Sequence, residues 1–558
     1  MKRIASIFLV PPLFLALGIV TLSASAARAL EFDDDGYLRT TYSIDTYYEA
    51  VYGNLGLSTL DVDPESGDAW HYNENLKINF SRGLPSGPRV DFSFWGRHTS
   101  DRLLQRTPGD SWMINEIRLR LSGDTFEIGL GDLSAFYSNY TFNNAFFGAA
   151  ATFRPAPWLS VSVLGGTNRD ARRDTYRRAF GGTRIEVKPT RSVLLAASYV
   201  HTEITDLYGT STTTDFANDV WSFFSRISFL DERLVLTGEF AMSGYIADRR
   251  LPGAEAEWGS AAWCALSFAP LRNELTVLVA YERVEPEFIG VMGTHSTDRE
   301  TLSAGLRYTP SEMLTATAYI RWFHDRVTDT SPAAYRTDTM DPGLALTIKP
   351  FLYNPDSAFK NLTIDFSASF SRERSDDTPP SVADERLIAR LKVGDSREAF
   401  RWAFIGTLER YDDETAADLD TLACGVGAEF GYRKDADRYT LSADLLGEIR
   451  IDGVHDRVRG RLFDNMMRVG AGTAITVLFI PDYPTRCSAR YEGIFRKRES
   501  TDDTREHSFY FTLEQVMLRR TGLTGTLGLH GALRDVSSPN PDLAYGERVF
   551  GLYLSLEF

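Results

Sequence analysis

The chain reads as one all-β domain, an antiparallel barrel of about 26 strands (24–26). Three observations predict it. Apolar and polar residues alternate with period two over most of the length, turn signals cut that alternation into segments joined by long and short connections in turn, and the last residues form a strand with one apolar face. Successive side chains of a strand point to opposite sides, so strict alternation describes a sheet with one oily and one polar surface.

The N-terminal residues 1–29 read as a secretory signal peptide. Lys2 and Arg3 precede an apolar run from Ile4 to Val20, interrupted by Pro11 and Pro12, and Ala27-Arg28-Ala29 supplies a small-x-small cleavage pattern. The mature chain is expected to start at Leu30, so that residues 30–558 form the barrel, and no Cys at the cleavage site supports a lipid anchor. A mean hydropathy of -0.23 with 24% charged residues is too polar for a bundle of membrane helices. It suits a barrel, where only alternate residues meet lipid. No Pro/Ser-rich linker or break in composition divides the chain.

The strands follow in order from Tyr37. Leu76, Ile78 and Phe80 oppose Asn75, Lys77 and Asn79, and the turn from Arg82 to Pro88 leads to Val90, Phe92 and Phe94. Ile117, Leu119 and Leu121 oppose Glu116, Arg118 and Arg120, and the tight Ser122-Gly123-Asp124 turn pairs them with Phe126, Ile128 and Leu130. Further on, Thr183, Ile185 and Val187 oppose Arg184, Glu186 and Lys188, Trp221, Phe223, Ile227 and Phe229 oppose Ser222, Arg226 and Ser228, and Leu441, Leu445 and Ile449 oppose Asp444, Glu448 and Arg450. A slip of one residue would turn charges onto the oily face, so the register is strongly specified.

The last strand sets Phe550, Leu552, Leu554, Leu556 and Phe558 on one face and Val549, Gly551, Tyr553, Ser555 and Glu557 on the other. An apolar strand face ending in a terminal Phe resembles the closing strand and targeting signal of Gram-negative outer-membrane β-barrel proteins. The resemblance implies a single transmembrane antiparallel β-barrel with no plug domain, integral to the cell outer membrane, with both termini periplasmic. It implies outer-membrane lipid and lipopolysaccharide as surroundings, the barrel-assembly machinery as a partner during insertion, and no nucleic acid. Alternation begins at Tyr37, close behind Leu30, which leaves no room for the plug or periplasmic domain of energised uptake or assembly proteins.

Candidate chemistry is sparse, and the expectation is a protein that is not an enzyme and carries no cofactor or metal. Cys264, Cys424 and Cys487 share parity with apolar neighbours and are expected to face lipid. The eight histidines show no metal-ligand spacing, and no GxSxG or phosphate loop occurs. Acidic clusters (Asp61, Asp63, Glu65, Asp68; Asp376, Asp377, Asp384, Glu385; Asp412, Asp413, Glu414, Asp418, Asp420) read as solvated outer loops, with Ca²⁺ binding the other reading. A basic loop with Arg169, Arg172, Arg173, Arg177 and Arg178 reads as self-paired with Asp170 and Asp174 or as a phosphate contact.

The inward face is mixed in sign, with Arg118, Arg120 and Glu116 near one end of the chain and Arg486, Arg490 and Glu492 near the other. Charges of both signs imply water or a polar occupant inside. The segment after Gly129-Leu130-Gly131-Asp132 carries Phe136, Tyr137, Tyr140, Phe142, Phe146 and Phe147, with Gly148 behind it. So many aromatics suit neither water nor an ordinary outer loop. The segment is either a lumen constriction or partner-binding lid, or an aromatic girdle that extends two strands above the membrane. Two functions follow: a porin-like channel for passive or selective passage of small polar solutes, or a wide sleeve enclosing a lipoprotein, a secreted polypeptide or an electron-transfer cytochrome.

Overall fold

The computed structural model describes residues 36–557 apart from stretches in or beside the connections: 54–59, 61–67, 85–86, 103, 105–110, 169–175, 207–214, 272–273, 329–330, 332–334, 416–418, 437–438, 457–459, 481–482, 499–502 and 521–522. The expected signal peptide, Phe558, and the acidic and basic residues named above that fall in these stretches therefore lie outside the described residues.

Among the described residues, 26 strands run antiparallel in one sheet, from β1 (Gly36–Gly53) to β26 (Tyr545–Glu557). The sheet closes on itself. β1 pairs with β2 (Asp68–Gly83) on one side and with β26 on the other, from Thr41↔Glu557 to Gly53↔Tyr545. Closure leaves no unpaired edge at the ends of the sheet, which is what lets strands cross a lipid layer.

Side-chain parity divides the wall into two surfaces. Leu130, Trp221, Phe223, Leu302, Leu344, Phe404, Leu445, Phe550 and Leu552 are all exposed on the outside of the barrel. An apolar belt of this extent around a closed sheet is the lipid-facing surface of a transmembrane barrel. Cys264, Cys424 and Cys487 are exposed on the same parity, with Cys264 two residues before Leu266. At the closing seam Leu556 and Leu554 pack with Tyr42, Ile44 and Leu76.

The connections depart from simple alternation at two places. At the end that holds both termini most are tight, such as 123–125, 157–158 and 191–192, but residues 349–362 join β16 (Thr337–Ile348) to β17 (Thr363–Ser375) through a series of turns. Pro350 and Asn354-Pro355-Asp356 supply the turn chemistry. At the opposite end long connections such as 100–111 and 285–298 are expected, yet residues 139–141 make a tight turn. The aromatic segment is therefore not an outer loop. It is the upper part of a hairpin formed by β5 (Phe126–Ser138) and β6 (Phe142–Ala156).

Candidate lumen constriction

The hairpin leaves the wall at a glycine. The ladder between β4 (Trp112–Ser122) and β5 runs from Ser122↔Glu127 to Arg118↔Gly131 and stops there, in the middle of both strands. Gly131 has φ +98°, and a Cβ on it would sit 2.0 Å from the Ile117 carbonyl oxygen, so only glycine fits. Beyond it the Asp132 carboxylate takes the place of a backbone acceptor, receiving the Ile117 N–H at 2.8 Å. Gly131 lies directly opposite Gly148 on β6, where a Cβ would meet the Gly165 oxygen at 2.1 Å.

Turned inward at these positions, the hairpin packs on the inner wall. Tyr137, Phe142 and Phe146 bury against Leu164 of β7 (Leu159–Asn168), Phe180 of β8 (Tyr176–Thr190), Val200 of β9 (Val193–Asp206) and Met292. Phe142 and Phe146 are T-shaped at 5.6 Å, and Phe180 lies 5.1 and 5.3 Å from them. Tyr140, at the tip, enters a second apolar cluster with Val220, Ala241, Ala261, Val284 and Phe288. Val220, Ala241, Ala261 and Val284 belong to β10 (Ala217–Phe229), β11 (Leu234–Ile246), β12 (Glu257–Leu271) and β13 (Leu275–Val284), Phe288 belongs to the connection 285–298, and the two alanines make room for the ring.

Polar contacts hold the tip in place. The Tyr140 hydroxyl donates to Glu282 at 2.7 Å, and the Arg184 guanidinium donates to the Tyr137 carbonyl. Ser138 Oγ accepts the N–H groups of Tyr140 and Thr141, which closes the tight turn. The connection 285–298 folds in beside it: Asn143 N–H donates to the Met292 carbonyl at 2.9 Å, Thr294 N–H to the Asn139 carbonyl at 2.8 Å, and Asn143 Nδ2 to Thr294 Oγ1 at 3.0 Å. Asn218 anchors that connection to the wall by donating to the Ile289 carbonyl at 2.7 Å, and Ser243 Oγ accepts the Ile289 N–H at 2.9 Å. His295 packs 4.9 Å from the Phe288 ring, and burial lowers its pKa below the usual imidazole value, partly offset by its bond to the Asn139 backbone and by Glu282.

The six aromatic candidates thus separate. Tyr137, Tyr140, Phe142 and Phe146 are buried, Phe147 is half-buried, and Phe136 is 64% exposed on the opposite face of β5. The charged candidates form two distant groups. On β4, Arg118 pairs with Glu116 at 3.4 Å and Arg120 with Glu127 at 2.8 Å. On β23 (Tyr483–Arg498), Arg490 pairs with Glu492 at 3.5 Å and Arg486 reaches Glu514 at 4.0 Å. Phe550, Leu552, Leu554 and Leu556 lie on β26 away from the lumen.

Sequence reasoning missed the connection 285–298 and its wall partners Asn218, Ser243 and Glu282. The available signal was a row of small or amide side chains on inward parity, Asn218, Ser243, Ala241 and Ala261, where a solvated wall would carry longer polar groups. In the outer acidic connections, Asp377 accepts from Ser381, and its hydrogen bonds push its pKa down to about 2.

No family model matches the chain, and no curated protein matches it. Among solved structures it is similar to OprD of Pseudomonas aeruginosa, an outer membrane protein, at 11% identity and TM-score 0.34, covering 60% of this chain and 88% of that one. It is also similar to OccK11 (OpdR) of Pseudomonas aeruginosa at 12% identity and TM-score 0.33, covering 61% and 93%. The P pilus usher PapC translocation pore matches at 10% identity and TM-score 0.29, covering 93% and 99%. Likenesses at these scores carry no functional argument.

Proposed function

We propose that the protein is an outer-membrane channel for small polar solutes, with both termini periplasmic, and that the β5–β6 hairpin together with residues 285–298 narrows its passage. The observation that carries this reading is the interlock of the two segments inside the barrel through Asn143–Met292 and Thr294–Asn139, with Tyr140–Glu282 fixing the hairpin tip to the wall strand β13. A channel needs a lumen whose width and charge select what passes, and an inward-folded segment fixed to the wall provides the narrowing.

The charge pattern supports uncharged or weakly charged solutes. Lys392 pairs with Glu429 at 3.1 Å, Arg401 with Asp444 at 2.5 Å and Arg468 with Glu492 at 2.5 Å. Neighbouring opposite charges cancel beyond a short distance, so such a wall presents polarity without a strong field of one sign. Occupation of the lumen by the chain's own segments favours the channel over a sleeve around a separate protein. Lipopolysaccharide contact and handling by the barrel-assembly machinery belong to the same proposal.

The test is single-channel recording of natively purified protein in planar bilayers, with the same sample examined by mass spectrometry. A steady ion conductance without a stoichiometric companion protein is expected. Absence of conductance, or a lumen-filling partner that must be stripped before current flows, would overturn the channel.

A further inference from the structure

We propose that the lumen wall carries a saccharide subsite at Tyr319, where a sugar ring stacks on the tyrosine face and its hydroxyls reach the fixed ion pairs beside it. The inference rests on the reading of the barrel as a channel for polar solutes, and it names the class of solute that this part of the wall takes. Its basis is an apolar row exposed to the lumen and bordered by neutralised polar groups.

Tyr319 lies on β15 (Leu314–Asp325), opposite Gly305 of β14 (Arg299–Ser311) and Gly343 of β16. Both glycines have the opposite parity to the lipid-facing Leu302 and Leu344, so the ring is on the lumen side. It lies across Gly343, where a Cβ would come within 2.4 Å of the ring. The wall backs the ring, which nevertheless stays 52% exposed. Its hydroxyl makes no hydrogen bond among the described residues.

The same register row continues through Gly305 to Leu278 of β13, and through Gly343 and Ser369 to Ile388 of β18 (Ala383–Ser396). Leu278 is 46% and Ile388 37% exposed. Neighbouring strands stand about 4.8 Å apart, which puts Leu278 about 10 Å from Tyr319 along the row. Tyr319 leans toward Gly343, and a Cβ on Gly305 would meet nothing nearer than 3.9 Å, so the wall between Tyr319 and Leu278 is open. The row lies four residues along β13 from Glu282, about 13 Å toward the tight-turn end from the hairpin latch.

Two residues further along β15, Arg321 donates from Nε and Nη2 to Asp341 at 3.2 and 2.6 Å, and Ser371 Oγ donates to the same carboxylate at 2.5 Å. Near Ile388, Arg386 donates from Nε and Nη2 to Glu409 at 3.0 and 2.5 Å. Each cation is neutralised by its carboxylate, while neither Nη1 donates to a described residue. Such pairs offer fixed donors and acceptors without favouring a charged solute. An aromatic face attracts the weakly positive C–H face of a sugar ring, whose hydroxyls both donate and accept. A neutral saccharide therefore satisfies both halves of the site.

The test is saturation-transfer difference NMR on the full-length protein in lauryldimethylamine-oxide micelles, which carry no sugar. Maltotriose, cellotriose, lactose and raffinose are the probes, with arginine and succinate as charged comparators. Transfer to ring C–H protons of at least one sugar is expected. Tyr319→Phe should keep that signal, and Tyr319→Leu should weaken the affinity about tenfold. Gly343→Ala, whose Cβ pushes the ring off the wall, should weaken it as well and serves if Tyr319→Leu does not fold. Transfer to none of the sugars overturns the subsite. So does a signal that Tyr319→Leu leaves at wild-type strength, or displacement of the sugar by arginine or succinate. Single-channel conductance of the same preparation without sugar tests the channel separately, and the NMR reads binding whether or not current flows.

Discussion

The hydroxyl of Tyr140 donates to Glu282 at 2.7 Å, joining the tip of the β5–β6 hairpin to the far side of a cluster built from β10 to β13. The two residues lie 142 positions apart. Replacing Tyr140 with Phe keeps the ring among Val220, Ala241 and Ala261 and removes only the bond. A hydrogen bond to a charged group contributes roughly 1.5–3 kcal/mol, so the tip should open more often and mean conductance should rise with the barrel intact. Single-channel records with unchanged open levels and unchanged flicker would refute that latch.

Phe142 and Phe146 are fully buried between the hairpin and the wall. Truncating either to Ala removes a large ring from a packed site, at a cost of roughly 3–5 kcal/mol to local docking. The expected result is faster amide exchange across residues 139–146, larger conductance, and normal heat-modifiable migration of the barrel. Exchange that stays slow throughout the hairpin would show that these rings do not hold it.

His295 gives the latch a pH dependence of defined sign. Its docked pKa lies below the free value near 6.5, so the undocked state binds more protons and gains relative to the docked state as pH falls below about 6.5. Lowering pH from neutral to about 5 should therefore increase opening, and His295→Gln should abolish that part of the response. Conductance independent of pH in this window, with the wild-type residue present, would count against it.

Cys264, Cys424 and Cys487 are exposed toward lipid. In intact cells a charged maleimide should leave them unmodified and an apolar maleimide should label them, since a charged reagent is excluded from the hydrocarbon around the barrel. Ready reaction with the charged reagent would place them on the wrong side of the wall.

Phe558 ends the apolar face continued by Phe550, Leu552, Leu554 and Leu556. Phe558→Asp should lower outer-membrane abundance in fractionated cells while leaving the conductance of any inserted protein unchanged. Wild-type abundance would separate this residue from targeting.

Much of the fold was legible because a sheet's period is local. Ile117, Leu119 and Leu121 declare their face without reference to any distant residue, and the pairing Ser122↔Glu127 follows from a turn at Gly123. The aromatic segment was visible as a site for the same reason: rings at that density between Gly131 and Gly148 fit no ordinary loop. Its direction was not visible. Whether the strands rise as a girdle or turn inward depends on the space at Ala241 and Ala261 and on a carboxylate at Glu282, and nothing near Tyr140 in the chain encodes these.

The sequence by itself determined the strand periodicity, the parity of the clearly alternating segments, the closing strand and the oily belt, since each follows from alternation that a one-residue slip would destroy. Tertiary structure alone decided where β5 leaves β4, which four aromatics are buried, and that residues 285–298 grip the hairpin. Those outcomes rest on contacts between residues far apart in the chain, and they exist only once the curved wall has brought β10 to β13 and residues 285–298 against the hairpin.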